Sequence, residues 1–261
     1  MIWAKKSLGQ NFLISPRIVD MIVGASSVRK GETVIEIGPG KGALTSALLK
    51  AGARVIAVEK DDRLIPVLRG AFKAEIAEDR LEIVHGDILE MGAEDSARMY
   101  AQEYKVIANI PYYITGQIVR AFLSAERKPS LMVLMVQKEV ANRIIARDGK
   151  ESILSLSVKA YARPELVVSV ARGNFFPIPN VDSAVIRLSD IRSPFKDAAG
   201  ESRFFDIVKA GFAQKRKKLI KNLERAMEAD KIKKLFALHG IAENARAEDV
   251  SLETWLALAR G

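Results

Sequence analysis

The sequence predicts an α/β fold: a seven-stranded, mostly parallel sheet covered by helices, followed by a small all-helical domain. Three observations carry this. Short apolar runs alternate with helical patterns between residues 33 and 188, as expected where a parallel sheet is buried on both faces. The stretch EIGPGKGALT (36–45) follows the first of these runs directly, where a strand must turn tightly into a helix beside a ligand. Beyond Arg192-Ser193-Pro194 the apolar runs give way to Lys/Arg-rich helical patterns that continue to Gly261.

In chain order, strands are expected at TVIEI (33–37), RVIAVE (54–59), LEIVH (81–85), KVIAN (105–109), LMVLMVQ (131–137), ELVVSVA (165–171) and SAVIRL (183–188). Each is a β-branched, apolar run bounded by turn residues. Helical patterns at 43–51 and 61–75 supply the crossovers that parallel neighbours require. The last two strands are joined by GNFFPIPNVD, too short and too rich in proline for a helix. The final strand is therefore expected to run antiparallel at the end of the sheet. A domain boundary falls near residue 190, giving domains 1–190 and 191–261.

At 261 residues, 49% hydrophobic and 28% charged, the chain is long enough to bury a sizeable core. No apolar run approaches the ~18 residues of a membrane span, and MIWAKKSLGQNFL at the start lacks the apolar core of a secretory signal. There is no cysteine, and only His85 and His239 represent histidine, so no metal site is expected. These features predict a cytoplasmic protein. The formal charge is +9, and residues 203–234 hold eleven Lys/Arg against four Asp/Glu, a net +7 in one short segment. Such a focused basic face suggests a polyanionic partner, nucleic acid first, although a solvated helical face has a similar composition.

Gly38, Gly40 and Gly42 free the backbone ahead of the helix at 43–51. Gly38, Gly40 and Ala43 satisfy the G-x-G-x-x-[GA] spacing of nicotinamide-dinucleotide folds. The spacing of a phosphate-binding G-x-x-x-x-G-K-[ST] loop fails, so this loop implies a nucleotide-like cofactor and leaves its identity open. The second strand ends at Glu59, placed to accept from both hydroxyls of a ribose. The third ends in HGDIL, which brings Asp87 to the same rim to accept from an adenine amine. His85 reads as a structural residue at a strand end. The fourth strand delivers Asn109-Ile110-Pro111-Tyr112, so four strand ends converge on one crevice.

The NIPY stretch resembles the active-site motif of adenine-N6 methyltransferases, [Asp/Asn]-[Pro/Ile/Leu]-Pro-[aromatic]. An adenine amine is a poor nucleophile because its lone pair is delocalised into the ring. The Asn109 side-chain oxygen and the Ile110 carbonyl can hold both N–H groups and favour a pyramidal nitrogen. Pro111 fixes the backbone, and Tyr112 offers a stacking face for a flipped base. KSLGQNFL, EIGPGKG, NIPYYIT, QKEVANRI, NFFPIPNVDSAVIRL and FAQKRKKLIKNL occur in that order along the chain. Together they resemble the KsgA-type small-subunit ribosomal RNA adenine-N6,N6-dimethyltransferase family, which also includes macrolide-resistance enzymes.

That resemblance implies a Rossmann-like class I methyltransferase fold and S-adenosylmethionine as cofactor. It also implies dimethylation of two adjacent adenosines in the 3′-terminal hairpin of small-subunit rRNA, within a subunit precursor during ribosome biogenesis. By it, Gln10, Asn11 and Leu13 close over the cofactor, Gly38 and Gly40 form the loop, and Glu36 supports it or faces the cofactor's amino end. Glu59 and Asp87 take the ribose and the adenine, and Asn109 contacts both cofactor and target amine. Phe175 sandwiches the base opposite Tyr112, and Phe176, where relatives carry a smaller polar residue, narrows the mouth. Lys215, Arg216, Lys217, Lys218 and Lys221 dock RNA from more than one side of a helix. A monomer is expected. Three alternatives stay open: an NAD-dependent oxidoreductase, a methyltransferase of large-subunit rRNA, and a non-catalytic RNA-binding assembly factor.

Overall fold

A computed structural model describes residues 5, 8–91 and 103–260. The nine strands among the described residues are β1 (Phe12–Leu13), β2 (Thr33–Ile37), β3 (Arg54–Glu59), β4 (Leu81–His85), β5 (Tyr104–Asn109), β6 (Leu131–Gln137), β7 (Arg163–Val170), β8 (Phe175–Phe176) and β9 (Ser183–Ser189). Seven of them form one sheet in the order β4-β3-β2-β5-β6-β9-β7, while β1 and β8 pair by themselves. Strands β4, β3, β2, β5 and β6 are parallel neighbours, so their carboxyl ends share one rim.

The final strand is antiparallel, as expected, but it does not lie at the end of the sheet. β9 is inserted between β6 and β7 and runs antiparallel to both. Burial explains the order. β9 is buried on both faces apart from Arg187, whereas β7 is only half-buried and carries Arg163, Pro164 and Glu165 at its start. Charge and proline suit an unpaired edge, where no ladder hydrogen bond is lost and further pairing is discouraged. The helical pattern at 61–75 also resolves differently. It becomes two helices, Ile65–Ala71 and Lys73–Ala77, with a turn over 61–64 before them.

The chain divides into two compact units, Met1–Ala141 with Ala162–Arg192, and Asn142–Tyr161 with Ser193–Gly261. The segment 142–161, assigned from sequence to the first domain, groups with the second unit. In the first unit the core lies between the sheet and helices such as Pro16–Ser26 and Ala43–Lys50, with Ile22, Leu48, Val55 and Ile107 fully buried. In the second unit, helices Ala198–Gly211, Leu219–Leu223, Ala229–Leu238 and Leu252–Arg260 enclose Phe204, Leu223, Ile232 and Trp255. Gly211 is fixed by this packing, since a Cβ there would lie 2.2 Å from the Trp255 ring. No helix among the described residues is long and apolar enough to cross a membrane.

Candidate functional site

A cavity of about 220 Å³ opens at the carboxyl rim of the first unit's sheet. Its floor is the turn after β2. Gly38, Gly40 and Gly42 all have positive φ, and at two of them space as well as conformation demands glycine. A Cβ on Gly40 would lie 3.0 Å from the Phe12 ring, and one on Gly42 would lie 2.5 Å from Phe72. Helix Ala43–Lys50 starts immediately after this turn. Beneath it, Glu36 is 1% exposed. Its Oε2 accepts from the Thr45 hydroxyl at 2.7 Å, while Oε1 is buried without a partner among the described residues.

Burial pushes the Glu36 carboxyl up to about 8, opposed by the Thr45 hydrogen bond and reinforced by Glu59. A carboxyl whose pKa is raised on folding favours the fold most below its unfolded value, near 4.5. That contribution is lost as pH climbs toward 8, because the native state then holds a proton that the unfolded chain has released. Stability should therefore fall between those pH values with a slope of up to about 1.4 kcal/mol per unit. Denaturant midpoints of Glu36→Gln across this range should lack that slope.

Around the floor stand the acids expected from the strand ends. Glu59 is 5% exposed; its Oε1 accepts from the Asp61 amide at 2.8 Å and its Oε2 from the Gly40 amide at 3.1 Å. Burial raises its pKa despite these bonds. Each oxygen retains acceptor capacity toward the cavity that Glu59 lines. Asp87 also lines it, with Oδ1 accepting from the Leu89 amide at 3.0 Å and Oδ2 bonded to Lys60 at 2.5 Å. Burial acts to raise the Asp87 pKa, but the Lys60 ammonium and the Leu89 amide outweigh it and hold the carboxylate below its ordinary range. His85 ends β4 and is exposed, outside the lining.

The roof is an N-terminal strap. Gln10, Asn11 and Leu13 all line the cavity. β1 pairs antiparallel with β8 in the register Phe12↔Phe176 and Leu13↔Phe175. Directly opposed residues share a face, so Phe12 and Phe176 turn to the cavity. Leu13 and Phe175 belong to the hydrophobic core, although Leu13 still reaches the cavity's edge. This corrects the expectation for Phe175: at 1% exposure it is a core residue with no face toward a base. Phe176, 52% exposed, is the ring at the mouth. Consecutive aromatic residues in a strand cannot both face inward, and composition alone does not say which does.

The remaining wall is the end of β5. Asn109, Ile110, Pro111 and Tyr112 line the cavity together. The Asn109 Nδ2 donates to the Asn11 carbonyl at 3.2 Å, which commits the nitrogen to the roof and, among the described residues, leaves Oδ1 as an acceptor. Pro111 (φ −55°) starts a 3₁₀ turn, Tyr112–Ile114. The Tyr112 hydroxyl and the Ser183 hydroxyl are hydrogen-bonded at 2.7 Å, which fixes the ring. Burial raises the Tyr112 pKa, so the phenol stays neutral. Thr45, Asp61, Lys60 and Ser183 thus support the site without having been expected to, while Phe176 stands at the mouth as expected.

The basic residues lie in the second unit, on a different scaffold from the one expected. Helix Ala198–Gly211 ends before them and Leu219–Leu223 begins after them. Lys215, Arg216, Lys217 and Lys218 therefore occupy an exposed turn, and only Lys221 is helical, paired with Glu224 at 2.7 Å. Four consecutive cations leave no apolar stripe with which a helix could pack. Asn222 instead braces the turn, its Nδ2 donating to the carbonyls of Gly211 at 2.6 Å and Gln214 at 3.1 Å.

The family profile described as ribosomal RNA adenine dimethylase matches residues 2–260. The "Ribosomal RNA small subunit methyltransferase A" of Dehalococcoides mccartyi strain 195 is 42% identical, covering 97% of this chain and 86% of that protein. The protein of the same name in Geobacter metallireducens is 38% identical over 99% of this chain and 95% of its own length. Among solved structures, the 23S rRNA methyltransferase ErmE superposes with a TM-score of 0.78 at 28% identity, covering 96% of this chain and 98% of that one. A dimethyladenosine transferase from Plasmodium falciparum gives 0.76 at 27%, covering 95% of each.

Proposed function

The chain belongs to the ribosomal RNA adenine dimethylase family, and on that premise we propose that it dimethylates N6 of two adjacent adenosines in the 3′-terminal hairpin loop of small-subunit rRNA. It acts during subunit assembly, in the cytoplasm and as a monomer, with S-adenosylmethionine as methyl donor. The observation that carries this reading is the orientation of Asn109, whose nitrogen is held by Asn11 while its oxygen stays free in a cavity that also presents Tyr112. Identities of 38–42% to proteins named for the small subunit, against 28% to the 23S enzyme, favour the small-subunit target.

The residues present fit the cofactor. The unpartnered Oε1 of Glu36 needs a donor, which the amino end of S-adenosylmethionine has. Glu59 would take the ribose hydroxyls and Asp87 the adenine amine, with Gly38 and Gly40 below and Gln10, Asn11 and Leu13 above. When bound, S-adenosylmethionine supplies an electrophilic methyl group on a sulfonium. The chain supplies alignment. Asn109 Oδ1 and the Ile110 carbonyl accept the two N–H bonds of the target amine and so localise its lone pair. Tyr112, held by Ser183, stacks on the base. As the nitrogen is alkylated it becomes cationic and acidic, so water removes its proton and no side-chain base is required.

Labelled transfer to undermethylated small subunits, with large-subunit rRNA as the competitor, tests the assignment: label is expected in the small-subunit RNA. A label confined to the large-subunit RNA would overturn it. Pairing of the turn at 215–218 with RNA phosphates should appear in the salt dependence of binding. Replacing Lys215, Arg216 and Lys217 by Ala should reduce the log–log slope by about 0.7–0.9 for each phosphate no longer neutralised, with S-adenosylmethionine affinity unaltered. Phe176 is the ring placed to cover the base opposite Tyr112. After the first transfer one N–H is gone, so the second transfer leans harder on stacking, worth roughly 1–3 kcal/mol per base. Phe176→Ala should therefore accumulate monomethyladenosine in RNA digests. Phe175→Ala should instead lower stability by about 3–5 kcal/mol without shifting the mono-to-dimethyl ratio.

A further inference from the structure

The N-terminal strap is held at the cavity by a buried ion that does not itself line the cavity. Asp61 is 2% exposed and absent from the lining, whereas Gln10 is part of it. Its Oδ1 accepts from the Arg63 amide at 3.2 Å and from Arg63 Nε at 2.8 Å. Its Oδ2 accepts from Arg63 Nη2 at 2.6 Å and from Gln10 Nε2 at 2.8 Å. The Gln10 Oε1 in turn accepts from the Lys5 amide at 2.7 Å. The Gln10 side-chain amide, expected to touch a cofactor, is thus engaged on both sides by protein.

A turn after β3 explains the Arg63 bonds, because an aspartate commonly accepts from backbone two residues on. It does not explain a bond to a residue fifty-one positions away. That bond anchors the strap beyond the end of β3, as Asn109 anchors it at the last residue of β5 through the Asn11 carbonyl. Immediately after these anchored residues Phe12 lies over the glycine turn, with Lys41 Nζ 4.9 Å from its ring centre. Asp61 also donates its amide to Glu59, so one residue fixes both the roof and the acid below it. The Arg63 fork keeps the Asp61 carboxyl ionised, at about 2, and charge-assisted bonds of this kind are the strong ones.

We propose that Asp61, held by Arg63, is a positioning residue: a latch that closes the Gln10 strap over the cofactor cavity and so slows the release of bound S-adenosylmethionine. The inference rests on the cofactor reading above, and its test separates the two. In the ligand-free protein, Asp61→Ala should speed amide hydrogen exchange across 8–13 while β2 and β3 stay protected. The same variant should bind S-adenosylmethionine about tenfold or more weakly, as loss of a charge-assisted bond implies, mainly through faster dissociation. Gln10→Ala leaves the Arg63 bonds in place and should reproduce both effects even if Asp61→Ala folds poorly. The double variant should bind no more weakly than either single one, because both remove the same tie. Normal exchange and affinity in Gln10→Ala, or additive losses in the double variant, would overturn the latch. An unaltered protein that fails to bind S-adenosylmethionine would overturn the cofactor reading instead, and the exchange measurement would still decide the latch.

Discussion

Asn109→Ala should lower methyl transfer by about 10²–10³-fold, the loss that follows removal of an oriented dipole acting on a reacting group, while RNA affinity should change little. The side chain has two tasks that this substitution removes together. In the proposed mechanism its oxygen accepts from the target amine, and in the structure its nitrogen donates to the Asn11 carbonyl at 3.2 Å. Asn109→Asp separates them. A carboxylate keeps the acceptor but cannot donate to Asn11, so it should recover part of the turnover while leaving the strap looser. Single-turnover rates, measured with saturating RNA and cofactor, give the comparison directly. Near-normal transfer by Asn109→Ala would remove the amine clamp from the mechanism.

Glu59→Ala is the second large effect, and it falls on binding. Two backbone amides, Gly40 and Asp61, donate to this carboxylate, and in the bound state two ribose hydroxyls would join them. Unpaired groups of this kind cost about 1–3 kcal/mol each, so loss of the two ribose bonds alone weakens S-adenosylmethionine binding by roughly 30- to 10⁴-fold. The glycine turn loses its acceptor as well, which adds to the effect. Calorimetry on a folded variant measures it, and unchanged affinity would place the ribose elsewhere. The same titration with NADH bears on the oxidoreductase alternative, since Gly38, Gly40 and Glu59 would serve either cofactor; tighter binding of NADH would reverse the assignment.

Much of this architecture was legible in the chain because it is local. β2, β3, β4 and β6 occupy the runs predicted for them, and β5 begins one residue earlier, at Tyr104. The acids at strand ends were legible for the same reason: in a parallel sheet every carboxyl end lies on one rim. Of the cofactor and amine residues expected, those from Gln10 to Tyr112 line a single cavity. What failed depended on partners distant in sequence. The place of β9 is set by which strand can tolerate an unpaired edge, a comparison between β7 and β9 rather than a property of either. Phe175 and Phe176 are indistinguishable until the pairing with Phe12 and Leu13 decides which ring faces inward. The helical reading of 215–218 counted charges without asking what apolar face would hold such a helix. Asp61 passed unnoticed because its partner Gln10 lies on the strap.

On the proposed function, this cavity converts adenosine to N6,N6-dimethyladenosine at one place in the small-subunit RNA. Mass spectrometric mapping of nuclease fragments answers it directly, using undermethylated small subunits incubated with the protein and isotopically labelled S-adenosylmethionine. Two adjacent dimethyladenosines are expected in the 3′-terminal hairpin loop, both carrying label. Labelled methyl groups on any other base or at any other site, or no transfer to the subunit by a folded, cofactor-binding protein, would contradict it.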